Sequence, residues 1–274
     1  MITLGLLLSA LAVLSVALSL VMTLAWAVQQ RTGNSGWVDT MWTFGLGAIG
    51  IASALWPDPA TANGRQWLVA VMIAAWALRL GGHIAHRSSG IQDDPRYAQL
   101  IEGWGTDARK QMLILLQKQA LVSIPLATTL FLAAHNPEPL WRALDVAAVA
   151  LFALAAAGEA LADHQLRRFR SRHQRRTAVC NEGLWAWSRH PNYFFEWLMW
   201  VAFALLAIDY SLTGWLAFAG PLAIYWLLTQ VSGIPPLEAH MLRTRGDAFR
   251  RYQERTSAFF PLPPGRVAET GTRS

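Results

Sequence analysis

A single cysteine, Cys180, is the first scarcity in this chain of 274 residues. One thiol cannot close an internal disulfide, so nothing here calls for an oxidising compartment. No cysteines and histidines share the spacing of a zinc site, and no metal is expected. Charge is scarce as well. Asp, Glu, Lys and Arg make up 15% of residues, against about 25% in an ordinary soluble domain. With 54% hydrophobic residues and a positive mean hydropathy, the deficit marks a chain whose solvent is lipid.

Long apolar runs are abundant. A helix crossing a bilayer needs about 20 such residues, and seven stretches supply them: roughly 2–28, 37–56, 66–85, 112–134, 141–163, 193–209 and 212–232. Breaks fall between them, as in Trp56-Pro57-Asp58-Pro59 and His135-Asn136-Pro137. Ala25-Trp26-Ala27 imitates a leader cleavage site. No basic segment precedes that run, and it is too long for a leader, so the first stretch is expected to be retained. The expected fold is all-α: seven transmembrane helices in one domain over residues 1–262, with a flexible tail at 263–274.

The basic residues set an orientation. With the N-terminus outside and the C-terminus cytoplasmic, 19 of the 23 lysines and arginines fall in inside segments. Only Arg65 and Arg142 lie outside, and Arg79 and Lys118 lie within helices. This bias is what the positive-inside rule requires. It also accounts for the high pI, so nucleic acid is not an expected partner.

A literal G-x-G-x-x-G occurs at Gly45-Leu46-Gly47-Ala48-Ile49-Gly50. In a dinucleotide-binding βαβ unit those glycines follow a strand. Here they sit inside an apolar helix, where small residues let neighbouring helices approach closely.

Ionisable groups inside lipid say more, because each costs at least ~2.5 kcal/mol at a helix centre unless paired. Trp76, Arg79, His83 and Arg87 recur at helical spacing, as do Glu159, Asp163, Arg167 and Arg170, and then Asn192, Glu196 and Trp200. Three polar stripes near the cytoplasmic ends of three helices point to a shared cavity. Asp163 with Arg167 also fits an ordinary i,i+4 pair, and Asp145, near an outer loop, is expected to snorkel or to cap. Arginines suit phosphate, which they grip as forks. Asn192 and Glu196 suit ribose hydroxyls or a carboxamide, and Trp185, Trp187, Tyr193 and Trp200 offer flat faces to a planar ring. Such a set describes a nucleotide cofactor, and the surplus of arginine favours NADPH. The loop residues Arg172, Arg175 and Arg176 fit topology and anionic lipid instead.

Gly183-Leu184-Trp185, Ser188-Arg189-His190-Pro191-Asn192-Tyr193 and Glu196 together resemble the steroid 5-alpha-reductase superfamily. Supporting pieces are Asp39 in Trp37-Val38-Asp39-Thr40-Met41-Trp42, Arg79-Leu80, Asp94-Pro95-Arg96-Tyr97, Ser232-Gly233-Ile234-Pro235 with Glu238, and the closing stretch Tyr252 to Pro261. The resemblance implies a membrane fold that binds NADPH from the cytosol and holds a flat apolar enone. It places Asp163, Arg167, Arg170, Asn192 and Glu196 at cofactor-binding positions, with Arg79, Arg87, Arg96, Tyr97, His190, Tyr193 and Glu238 beside them, and His83 and Trp200 from the helical stripes complete the expected cofactor set. It places Asp39 and Trp76 at catalytic positions. Trp76 stands where steroid reductases carry a tyrosine, and indole has no acidic proton to give. Glu159 replaces an expected asparagine, and Phe195 a frequent glycine.

The expected reaction is NADPH-dependent reduction of the carbon–carbon double bond of a lipophilic α,β-unsaturated ketone, a 3-oxo-Δ4-steroid first among the candidates. A protonated Asp39 would stabilise the oxyanion, an effect worth ~3 kcal/mol per donor. Two alternatives share the composition. One is a membrane methyltransferase acting on isoprenylcysteine with S-adenosylmethionine, and the other is a lipid-binding or transport protein. The enzyme is expected as a monomer in a bacterial inner membrane, in contact with membrane lipid, with its cofactor site facing the cytoplasm.

Overall fold

A computed structural model describes residues 4–57, 63–89, 93–173, 178–209 and 211–265. Residues 2–3 of the first expected stretch, Asp58 and Pro59 of the expected break, Arg175 and Arg176 of the basic loop, and 266–274 of the expected tail lie outside them. Among the described residues the chain is 83% helix with no strand.

The helices, in order, are α1 (Leu4–Thr32), α2 (Gly36–Ala54), α3 (Asn63–Ser89), α4 (Pro95–Trp104), α5 (Ala108–Ala134), α6 (Ala143–Arg172), α7 (Pro191–Ala207), α8 (Leu212–Trp215), α9 (Ala219–Trp226), α10 (Ile234–Arg245) and α11 (Asp247–Arg255). Among the described residues, five segments are long and apolar enough to cross a membrane: Gly5–Thr32, Gly64–Ser89, Arg96–Ala134, Ala143–Arg172 and Leu212–Arg245. The protein is therefore an all-helical, multi-pass membrane protein. The expected stretches 37–56 and 193–209 form α2 and α7 but are not among those five. α7 has only 17 residues, and glycine, threonine and Asp39 dilute the hydropathy of α2.

The chain divides into two compact units, Met1–Val149 with Trp200–Ala223, and Ala150–Met199 with Ile224–Ser274. In the first, α2 lies against α3, and α1 against α5 and α2. The glycines of the apparent nucleotide motif explain the closeness. A methyl on Gly45 would strike Val21 of α1, one on Gly47 would strike Ala77 of α3, and one on Gly50 would strike Ile73 and Leu130. These are packing glycines. Hydrogen bonds stitch the same helices together: Ser19 Oγ donates to Gln117 Oε1 at 2.7 Å and Trp42 Nε1 to Ser123 Oγ at 2.8 Å.

Asp145 caps and does not snorkel. It is fully buried, and Arg65, also fully buried, donates to both its oxygens, Nη2 at 2.8 Å and Nη1 at 3.0 Å. Arg142 Nη2 adds a bond at 2.9 Å. The Arg142 backbone N–H donates to Asp145 Oδ2 at 3.0 Å, which satisfies an orphan donor at the start of α6. The two arginines counted as outer-loop charges are thus both bound to one buried acid.

In the second unit, the chain after α6 turns through a 3₁₀ segment, Gly183–Ala186. Gly183 has φ +60° and sits on the Gln165 amide, where a Cβ would collide. Gln165 Oε1 accepts from Leu184 N–H at 2.9 Å, and Trp185 Nε1 donates to Ala162 O at 2.9 Å. The closing stretch then clasps this turn. Arg189 N–H donates to Ser257 O at 2.8 Å and Leu262 N–H to Trp187 O at 2.9 Å, while Ser188 Oγ donates to Phe259 O at 2.9 Å. Phe194, Trp197, Tyr225, Phe259 and Phe260 form one aromatic cluster behind it.

Candidate functional site

The predicted residues fall into two sets, one in each unit. Asp39, Trp76, Arg79, His83, Arg87, Arg96, Tyr97 and Trp200 belong to the first. Asp163, Arg167, Arg170, His190, Asn192, Tyr193, Glu196 and Glu238 belong to the second.

In the first unit the start of α4 builds an ionic cluster. Asp94 is the N-cap, accepting from Arg96 N–H at 2.9 Å, and proline follows at the first helical position, a combination suited to helix starts. The cap fixes Arg96, whose Nε and Nη2 donate to Asp94 at 3.0 and 2.8 Å. Arg96 Nη2 also donates to Asp39 Oδ2 on α2. Arg87 stands 3.8 Å from Asp94. Burial pushes the Asp94 carboxyl up, but the hydrogen bond and charge of Arg96, helped by Arg87, outweigh it and hold the group below its ordinary range.

Tyr97 extends the cluster. Its hydroxyl accepts from Gln119 Nε2 at 3.1 Å and donates to Asp39 Oδ1 at 3.0 Å. Asp39 therefore accepts on both oxygens. The set Asp39, Arg96 and Tyr97 was legible; Asp94 and Gln119 were missed. The Asp-Pro pair was an available N-cap signal for Asp94, whereas nothing local singled out Gln119.

Trp76 is 1% exposed and Trp200 fully buried. Their rings meet edge to face at 5.4 Å, and Trp42 meets Trp76 at 6.2 Å. These indoles fill one another's faces, an arrangement worth about 1 kcal/mol per pair. Arg79 and His83 are half-buried on α3, and Arg87 is exposed near its end.

The second unit gathers Arg189, His190 and Glu238. Glu238 Oε1 accepts from Arg189 Nε at 2.7 Å and faces His190 Nε2 at 2.9 Å. Its Oε2 accepts from Arg189 Nη2 at 3.1 Å and Gln253 Nε2 at 2.6 Å. Arg189 Nη1 donates onward to the carbonyls of Gln253 and Thr256. Burial pushes the His190 imidazole below its ordinary value, against the pull of Glu238. Tyr193 stacks on the His190 ring at 5.4 Å. Four bonds saturate Glu238, so it and His190 hold the turn before α7 through each other. Arg189 and Gln253 were absent from the predicted set, although Arg189 stood beside His190 in the quoted motif.

That network fixes the N-terminal turn of α7, which carries Asn192 and, one turn on, Glu196. Glu196 is 6% exposed, and Glu159 and Asp163 on α6 are 3% and 8% exposed. The Phe195 ring lies on Gly158, at a spot that no larger residue would leave open. The two helices thus meet where each carries a buried acid next in sequence, Glu159 after Gly158 and Glu196 after Phe195. Arg167 and Arg170 continue the α6 stripe, both exposed.

Fold and site define a helical membrane protein with polar clusters at helix ends. Residues 25–256 match the family described as "Protein of unknown function (DUF1295)", and the chain belongs to it. That family is part of the steroid 5-alpha-reductase-like group. A Schizosaccharomyces pombe protein, "Uncharacterized protein C594.04c", is 34% identical over 87 residues, which is 30% of this chain and 24% of that protein. The chain thus matches about a quarter of that relative's length. No solved structure matches.

Proposed function

We propose that this protein is a membrane oxidoreductase that uses NADPH to reduce the carbon–carbon double bond of a lipophilic α,β-unsaturated ketone, with 3-oxo-Δ4-steroids as the first substrates to test. The observation that carries the reading is the trio of buried carboxylates Glu159, Asp163 and Glu196 in the second unit. Carboxylates on adjoining helices accept hydrogen bonds of the kind that ribose hydroxyls and a carboxamide donate. Membership of the steroid 5-alpha-reductase-like group supports the same reading.

When bound, NADPH supplies the hydride. Asn192 and Glu196 would hold its carboxamide and ribose, and Arg167 and Arg170, exposed at the end of α6, its phosphates. In the first unit Asp39, bonded by Arg96 and Tyr97, would stand at the substrate carbonyl, with Arg96 as a donor to the developing oxyanion. A charge-assisted donor of that kind suits the task. Trp76, closed in by Trp42 and Trp200, would shape the pocket and touch no reacting atom.

The topology we propose has seven spans. α2 and α7, of 19 and 17 residues, rise about 28 and 25 Å, enough for a bilayer core with modest thinning. The arginine bias sets the N-terminus outside and the cofactor residues at the cytoplasmic face of an inner membrane.

The test is binding followed by turnover. Purified protein is titrated with NADPH and, separately, with S-adenosylmethionine, then assayed for NADPH oxidation across Δ4-3-ketosteroids and simpler enones. Micromolar NADPH binding, weakened at least tenfold in Glu196→Ala, is the expected result. Binding of S-adenosylmethionine in place of NADPH would move the protein to the methyltransferase class.

A further inference from the structure

A cavity of about 360 Å³ opens in the first unit where α1 ends and α5 begins. Its walls include Gln29, Gln30, Thr106, Ala108, Arg109 and Met112. Its lining residues stand at the ends of the apolar stretches 2–28 and 112–134, the part of a span that tryptophan and arginine anchor at the headgroup level.

Arg109 is the sole ionisable residue among its lining residues. Glu102 and Asp107 flank the wall in sequence without lining it. The Arg109 guanidinium lies over the Trp26 ring, 5.2 Å from its centroid. Trp26 Nε1 donates to the Arg109 carbonyl at 3.0 Å, so stacking and hydrogen bond together hold this cation at the rim. Gln29 is 6% exposed, and Gln30 Nε2 donates to its Oε1 at 2.7 Å. Gln29 Nε2 donates to Ser35 Oγ at 3.4 Å, and each amide nitrogen carries a second hydrogen. A guanidinium and amide donors without an acid recognise a phosphate. The volume lies in the range of small-molecule sites, and cationic pockets between spans are where anionic lipid headgroups lodge.

We propose that this cavity binds the phosphate headgroup of an anionic phospholipid, with Arg109 as its cation. The site is separate from the residues assigned to NADPH and stands whether or not the reductase reading does.

The experiment uses the full chain purified from nanodiscs of phosphatidylcholine with one-fifth phosphatidylglycerol, the retained lipid being counted by native mass spectrometry. One phosphatidylglycerol per chain is expected. Arg109→Gln is expected to retain at least tenfold less, while Arg31→Gln, an arginine at the same helix end outside the cavity, retains it fully. Equal retention by Arg109→Gln and the parent, or equal loss in Arg31→Gln, overturns the proposal. Should Arg109→Gln fail to fold, Ala108→Leu fills the cavity without changing charge and is expected to lose the lipid at least tenfold; full retention there overturns it. Inorganic phosphate alone is expected to give under a tenth of the lipid's thermal shift. An equal shift would assign the cavity to a free anion and overturn the lipid reading.

Discussion

Arg189 and Glu238 grip each other through both ends of their forks, Nε to Oε1 at 2.7 Å and Nη2 to Oε2 at 3.1 Å, with 11% and 12% of the side chains exposed. Breaking such a pair strands a desolvated charge. Glu238→Gln is therefore expected to cost about 3 kcal/mol, read as a lowered unfolding midpoint in detergent. An unchanged midpoint would mean that the clasp on the turn before α7 does not depend on this pair.

His190 gives the same region a pH dependence. Its proton affinity is lowered, chiefly by burial, so the unfolded chain binds a proton that the native protein does not. The unfolded state then gains as pH falls through the ordinary histidine value near ~6.5. Stability is expected to be full above that value and to decline below it. The decline is expected to be shallower in His190→Gln when melting points are compared between pH 5 and 8. Parallel curves would remove His190 as the cause.

Asp145 is the sharper test of a buried charge. Asp145→Asn leaves Arg65, which has no exposed surface, without its carboxylate, and a loss of about 3–5 kcal/mol is expected. Arg142→Gln is expected to cost about 1 kcal/mol, because its side chain is 23% exposed and exposed pairs contribute little. The double variant Arg65→Met with Asp145→Leu is expected to recover more than half of the Asp145→Asn loss. These are measured by chemical unfolding in one detergent.

Gly47 separates packing from nucleotide binding. Gly47→Leu pushes a side chain into Ala77 and is expected to destabilise by about 1–3 kcal/mol. NADPH affinity of the folded fraction is expected to stay within twofold. Loss of affinity in fully folded protein would return the glycines to a nucleotide site.

Much of the first-unit cluster was legible because its geometry is local. Asp94-Pro95-Arg96-Tyr97 sets a helix start, and a helix start positions the next two side chains. Asp39 also stood out, as an acid in an apolar run. The identity of its partners did not, since they come from α4 and, through Tyr97, from Gln119, 80 residues further along the sequence. The same holds for Asp145, whose partner Arg65 is likewise 80 residues away. The arginine was counted as a loop charge, and only packing made it an interior one.

Taken alone, the sequence determined the all-helical membrane class, since composition and apolar run length follow from the solvent the chain must meet. It also determined that the glycine triplet is no nucleotide loop, because no strand precedes it. Tertiary structure decided which polar groups serve one another. Glu238 is saturated by Arg189, His190 and Gln253, and Asp39 accepts from both Arg96 and Tyr97. Hydrogen-bond partners depend on distances of about 3 Å between residues far apart along the chain. Helical spacing fixes the face a side chain occupies, and only packing fixes what it meets there.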